Sequence, residues 1–344
     1  MVTVHDVARA AGVSISTVSR ALTMPERVAA PTRDRVTAAA RELGYRPNRA
    51  ASVLRAGRAG AIGLVVPDLA NPYFAAIAKG AQARARERGL GLFVVDSDED
   101  PDLETEAVAG LAPQTDGIVL CSPRAVERSV EALEGRPVVL VNHEVDGLPS
   151  VVADHGAGML RALEHLRALG HRRVAYVGGP ERSWSDGRRR TGLRAAAVRL
   201  GDVELVELGP HRPQVAGGHA AADLVLASGA TAVVTFNDLV AVGLVERVRV
   251  RGLDVPGDLS VVGCDDAYVA ELLAPPLTTL RTDLRSAGRA AVDHLAARAG
   301  RSGHDLGDAA VVLPVELVVR GSTAPPRPTL HDDPDDDAVP TEDT

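Results

Sequence analysis

Two cysteines, Cys121 and Cys264, are all that 344 residues contain. They cannot form a disulfide framework, and they are not at metal-ligand spacing. The ten histidines form no paired-ligand motif, so no metal site is expected. Aromatics are equally scarce, with one Trp, four Tyr and three Phe. No uninterrupted apolar run reaches the ~20 residues of a spanning helix, so no membrane partner is expected. The N-terminus MVTVHDVARAAG lacks a basic stretch followed by an apolar one. A secretory signal is therefore not expected, and the expected compartment is the cytoplasm. There is no Walker loop and no GxGxxG after a strand, so no nucleotide cofactor is implied. Neither GxSxG nor HExxH occurs, and the chain is not read as an enzyme.

What is present suits a folded chain of about two or three domains. Hydrophobic residues make up 45% and charged residues 24%, with mean hydropathy +0.02. Collagen, coiled coil and whole-chain disorder are excluded. The net charge of −8 is unevenly spread: residues 1–60 carry ten arginines and only four acids, Asp6, Glu26, Asp34 and Glu42. A basic head on an acidic body points to a nucleic-acid contact confined to the head. A charge-mixed helical surface is the alternative.

In the head, Thr3 followed by Asp6 reads as an N-cap opening a helix over Val4–Ala11. Val4, Val7, Ala8 and Ala11 share one face. Gly12 breaks the helix, and Ser14 caps a second one running to about Leu22. This spacing is a helix-turn-helix pattern. A third helix is expected from a cap near Thr32 to Leu43. The second helix opens with short polar side chains at the end suited to a major groove, and Arg20 lies one turn deeper, able to fork onto guanine. After Pro47, the segment to Gly57 allows about two helical turns, too few for stability alone in water.

VTVHDVARAAGVSISTVSRAL, TRDRVTAAARELGYRPN and the linker ending in Leu54 resemble the headpiece and hinge of the lactose/galactose-repressor (LacI/GalR) family. The resemblance implies a headpiece at 1–46 and a hinge helix at 47–59 that folds on operator DNA. It carries base reading onto Ile15, Ser16 and Arg20. Ser14, Thr17, Ser19, Asn48 and Arg49 become phosphate or positioning groups. Leu54 becomes an apolar wedge in the minor groove. One departure is Thr23-Met24-Pro25, where the family commonly has an Asn-Gly turn.

Along the body, strand-like runs alternate with helical segments. Strands are expected at 61–66, 90–96, 117–120, 138–141, 173–177, 204–207, 232–236 and 259–263. Helices fit 72–88, 157–169, 189–200, 217–227, 239–251 and 284–300. Alternation of this kind means α/β architecture, here two doubly wound parallel-sheet subdomains with ligands at the carboxyl ends of the strands.

IGLVVPDLANPYFAAIAKG, GRRRTGLRAA, VVTFNDLVAVGLV and PPLTTLRTD resemble the effector-binding core of the same family, itself similar to periplasmic sugar-binding proteins. The resemblance implies a core at 60–323. One subdomain would span 61–153 plus 283–312, the other 154–282 plus 313–323. The implied effector residues are Tyr73, Phe74, Asn142, Arg189, Asn237 and Asp265. Arg188 and Arg190 leave the arginine's register open by one. Asp238 reads as an N-cap, and Asp266 as another cap. Trp184, in what reads as a polar loop after a strand, is an alternative platform for a sugar face or packs beneath the loop. Planar amides, a guanidinium and a carboxylate suit a polyhydroxylated ligand, a carbohydrate being the expected class. No cofactor is implied.

The tail 324–344 is rich in Pro and Asp and is expected to be disordered. The whole reads as a homodimeric, effector-controlled repressor acting on a pseudo-palindromic double-stranded DNA operator. A transporter-linked solute-binding protein and a sugar enzyme on the same fold are the rivals.

Overall fold

The computed structural model describes residues 2–45, 59–299 and 310–327. Asn48, Arg49, Leu54 and the acidic stretch from 328 onward lie outside the described residues. The chain divides into two compact units at Gly60.

In the first unit, α1 spans Val4–Ala11, α2 Ile15–Thr23 and α3 Ala30–Glu42. Thr3 forms a full capping box, its backbone N–H donating to Asp6 Oδ2 at 2.9 Å. Gly12, at φ 63°, closes α1 in the left-handed region that only glycine enters without strain. Ser14 Oγ accepts from Thr17 N–H and opens α2. The third helix starts earlier than its sequence suggests. Its cap is Ala29, and Pro31 occupies the first turn, where a missing N–H costs nothing. Val7, Ala11, Val18, Ala21, Val36 and Ala40 form the small core that holds the three helices together.

The second unit contains two six-stranded sheets. The first has order β11-β5-β4-β3-β1-β2. Here β1 is Ala61–Val66, β2 Gly91–Asp96, β3 Ile118–Cys121, β4 Val138–Val141, β5 Ser150–Ala153 and β11 Val311–Leu313. The second has order β12-β10-β9-β8-β6-β7. It comprises β6 Arg173–Val177, β7 Glu204–Leu208, β8 Ala232–Thr235, β9 Ser260–Asp265, β10 Thr278–Arg281 and β12 Glu316–Val318. All pairs are parallel except β10 with β12. The chain passes between the sheets after β5, after β10, and between β11 and β12.

Helices cover both faces. In the first lobe these are α4 (Pro72–Glu87), α5 (Pro101–Leu111), α6 (Val126–Glu131) and α12 (Leu284–Ala299). The second lobe has α7 (His155–Ala168), α8 (Trp184–Leu200), α9 (Val215–Ala227), α10 (Asp238–Val250) and the short α11 (Val269–Leu272). Within the first lobe, α4 and α12 pack closely where glycine permits it. A Cβ on Gly80 of α4 would lie 2.1 Å from Arg285 O, and one on Gly288 of α12 would lie 2.1 Å from Ile77 O. Thus a segment 200 residues downstream docks onto the first lobe.

The expectation of about eight strands undercounts. Four further strands, β5, β10, β11 and β12, are three or four residues long, too short to show a pattern alone. Residues 324–327 also depart from the disordered tail expected of them. Ala324 O accepts from Ser260 Oγ at 3.0 Å and contacts His171 Nε2 at 2.9 Å. Arg327 pairs with Asp258. These side-chain contacts with the second lobe override the Pro-rich composition.

Candidate functional site

On α2, Val18 and Ala21 face the core, while Ser14, Ser16 and Arg20 are exposed and Ile15, Thr17 and Ser19 half-buried. Ser14 Oγ lies 2.8 Å from both Ser16 Oγ and Thr17 Oγ1. The exposed stripe therefore presents hydroxyls at the helix N-terminus and a guanidinium one turn on. Ile15 is partly spent on the headpiece core.

Both sheets of the second unit are doubly wound, with a switch in strand order between β1 and β3 and between β6 and β8. Ligand sites form at the carboxyl ends of strands at such switches. Here both switches open onto one cavity of about 30 Å3. Tyr73, Phe74, Asn142, Arg189, Asn237 and Asp265 all line it. Trp184 does not: it is the first residue of α8, not a loop residue, because Ser183 caps the helix there. Its ring lies beside His143, His155 and Arg188.

The groups form a connected set. Asn142 Nδ2 donates to Tyr73 OH at 2.6 Å and to Ser122 Oγ at 3.1 Å. Arg189 donates to Phe236 O, stacks over the Phe236 ring at 4.7 Å, and pairs with Asp265 at 3.6 Å. The register of the arginines is thereby decided. Arg188 is exposed with its guanidinium over the Trp184 ring, and Arg190 pairs with Asp186 and Glu207.

Two capping roles differ from their sequence reading. Asn237 is itself the N-cap of α10, its Oδ1 accepting from Val240 N–H at 2.9 Å while Nδ2 donates to Pro213 O. Asp238 is instead buried, accepting from Thr279 Oγ1 at 2.6 Å and Ala267 N–H at 2.7 Å. Asp266 caps nothing and pairs with Arg320 at 2.7 Å. Asp238 does not cap because its carboxyl group is engaged by Ala267 N–H after β9 and by Thr279 of β10.

The backbone is strained at the same place. Among the described residues seven non-glycine residues have positive φ, and six of them sit at strand ends around the cleft: Asp98, Glu99, Ser122, Asn142, Asp265 and Asp266. Such residues cluster where function overrides local preference. Burial pushes the Asp265 carboxyl up to about 7 against the opposing pull of Arg189. Burial and the nearby Asp265 raise Asp238 well above the usual carboxyl range. His155 is held well below its usual value by burial and by Arg189 and Arg188, so its imidazole is neutral. Both thiols are pushed up to about 12 by burial, which leaves them protonated.

Sequence reasoning missed Asn71, Glu99, Ser122, Arg124, Ser183, Ser185, Pro213 and Phe236, which also line the cavity. Most follow strand ends, and strand ends are the signal that could have found them. Arg124 is held by two bonds to Glu99, at 2.6 and 3.0 Å. No metal-binding cluster and no helix long and apolar enough to cross a membrane occurs among the described residues.

Comparison with known proteins agrees with this geometry. Residues 3–48 match the profile of bacterial regulatory proteins of the lacI family, and residues 163–323 match a periplasmic binding protein-like domain. The chain is 35% identical to the HTH-type transcriptional regulator DegA of Bacillus subtilis, covering 94% of this chain and 98% of that one. It is 31% identical to the transcriptional repressor CytR of Escherichia coli, covering 93% and 96%. Among solved structures, the lac repressor dimer bound to operator and the anti-inducer ONPF superposes with TM-score 0.82 at 30% identity, covering 94% of this chain and 99% of that one. The transcriptional regulator CelR in complex with cellobiose gives 0.69 at 28% identity, covering 94% and 100%. The chain belongs to the lacI family of bacterial regulatory proteins and is a DNA-binding transcriptional regulator with a periplasmic-binding-protein-like core.

Proposed function

We propose that this regulator is a homodimeric repressor whose hold on a pseudo-palindromic operator is set by a small polyhydroxylated effector in the cleft. One observation carries the effector reading: Asn142, Arg189, Asn237 and Asp265, from both lobes, converge on one buried cavity. Buried amide, guanidinium and carboxyl groups match a ligand rich in hydroxyls, because a missing hydroxyl leaves one of them unpaired. The CelR relative forms a complex with cellobiose, which favours the same chemical class here.

On DNA, two headpieces would read two half-sites. Arg20 supplies the forked contact to a guanine, and Ser16 and Ile15 lie beside it. Ser14, Thr17 and Ser19 sit at the end of α2 that faces phosphates, with Asn48 and Arg49 following in the hinge. Leu54 would unstack the central base step and bend the duplex. An effector bound between the lobes changes their relative angle, and the DNA-bound and DNA-free populations shift by its differential affinity for the two arrangements.

The test is retention of sheared genomic DNA from the host by the purified protein, with and without small-molecule cell extract, followed by sequencing. A retained pseudo-palindrome whose yield changes with extract is expected. Uniform retention that simply weakens with salt would mean phosphate binding alone. Asp265→Ala should abolish the extract effect and leave DNA retention in place; an undiminished response would remove Asp265 from the effector site.

A further inference from the structure

The cleft has two chambers. The inner one encloses about 30 Å3. Beyond it lies an outer one of about 680 Å3, and the two share Glu99, Arg124 and Pro213. Both lobes wall the outer chamber: the turn from β2 into α5 on one side, the segments after β6 and β7 on the other. The Glu99–Arg124 pair stands at the junction, fixed further by Arg124 Nη1 donating to Ser122 O at 2.7 Å.

The chambers differ in how far their polar groups are committed. Asn142, Arg189 and Asn237 bond mainly within the inner wall. At the outer chamber, the side chains of Asp98, Glu181, Arg182 and Arg212 have no hydrogen-bond or ion-pair partner among the described residues. Four prolines and Leu103 supply apolar wall between them. Volumes of about 300–1,000 Å3 are usual for small-molecule sites. The outer chamber is in that range, and the inner one is far below it. A ligand of one ring that opens the inner chamber would leave the outer one to water.

Charge narrows the class. In the inner chamber Arg124 is matched by Glu99 and Arg189 by Asp265. Around the outer chamber, Asp98, Glu99, Asp100 and Glu181 share the wall with Arg124, Arg182 and Arg212. Carboxylates outnumber guanidinium groups around it by four to three, which disfavours a phosphate or carboxylate there.

The geometry points to an effector that is uncharged and spans both chambers: a neutral disaccharide or longer oligosaccharide, with one sugar ring in the inner chamber and the next against Arg182 and Arg212. It is neither a monosaccharide nor a sugar phosphate. This inference rests on the polyhydroxylated-ligand reading of the cleft.

The test is calorimetric titration of the full chain with D-glucose, D-ribose, glucose 6-phosphate, maltose, cellobiose, lactose, sucrose, trehalose and xylobiose. At least one disaccharide should bind tenfold or more tighter than any of the first three. Arg212→Ala and Arg182→Ala change exposed side chains, so folding is expected to survive. Each should lower disaccharide affinity about tenfold more than monosaccharide affinity. A monosaccharide or the phosphate binding as tightly as every disaccharide overturns the inference, as does the absence of disaccharide binding. Monosaccharide binding that Asp265→Ala abolishes would keep the cleft reading and remove only the second chamber. Saccharide binding indifferent to Asp265→Ala would remove both.

Discussion

Arg189 and Asp265 show how one side-chain pair organises the cleft. Each is buried, and each would be costly alone, so the pair persists because both charges remain close and Arg189 also reaches the Phe236 carbonyl. The burden falls on Asp265, whose carboxyl moves from an ordinary 3.8 to about 7. A carboxyl raised in the folded state takes up a proton more readily there than in the unfolded chain. Its contribution to stability is therefore fully present below about 3.8 and is lost as pH rises through about 7. In Asp265→Asn this titration is gone. The stability of the variant relative to the parent should thus increase from pH 4 to about 7 and then level, in urea unfolding at a series of pH values. Parallel profiles would contradict a raised Asp265. In the head, Arg20→Ala should cost about 1–3 kcal/mol at a single base pair and relax the preference there. Equal loss on every sequence, read from binding to single-base operator variants, would make Arg20 a phosphate contact instead.

Among the elements, caps and close helix approaches do most to place the site. Ser183 Oγ accepts from Asp186 N–H and starts α8 five residues ahead of Arg189. That start directs Arg189 inward and leaves Trp184 beside the two histidines. Ser183→Ala should lower stability by about 1 kcal/mol in denaturant unfolding; no change would mean that Pro180 and the preceding strand set the start by themselves. Gly80 and Gly288 act at a larger scale, letting α4 and α12 touch along their backbones. Gly80→Ala brings a Cβ against the Arg285 carbonyl and should destabilise by about 1–3 kcal/mol despite its better helix propensity. A more stable variant would show that the helices separate freely. The long helices and the buried central strands were legible because their apolar periods run for several turns or are wholly apolar. The helix over Pro101–Leu111 was not, since Asp102, Glu104 and Glu106 alternate through its first half and obscure a helical apolar period.

For the whole molecule, the decisive feature is that the chain leaves and re-enters each sheet. Three passages between the sheets mean that the lobes share segments, so a change in their angle bends the passages without unfolding either lobe. In the proposed function, the hinge segments of the two subunits respond to that angle. Leu54→Ala should weaken specific binding and reduce operator bending, measured by circular-permutation gel shift. Unchanged bending would take the wedge out of the account.

The sequence by itself determined the headpiece helices, the alternation of strands and helices, and the residue types needed for the cleft. The helices and strands follow from local signals, namely caps, glycine stops and hydrophobic periods confined to one element, whereas the cleft residues were legible only through the family resemblance. Which of three adjacent arginines enters the cleft, that Asn237 caps α10, and that Glu99 and Arg124 meet inside it were decided only by tertiary structure. Each depends on strand ends far apart in the chain being brought to one point by sheet order. The four short strands are of the same kind, for three or four residues acquire a direction only from the neighbour they pair with. The start of the tail, at residues 324–327, is ordered for that reason too, because its partners, Asp258 and Ser260, lie some 60 residues earlier and leave no mark on its composition.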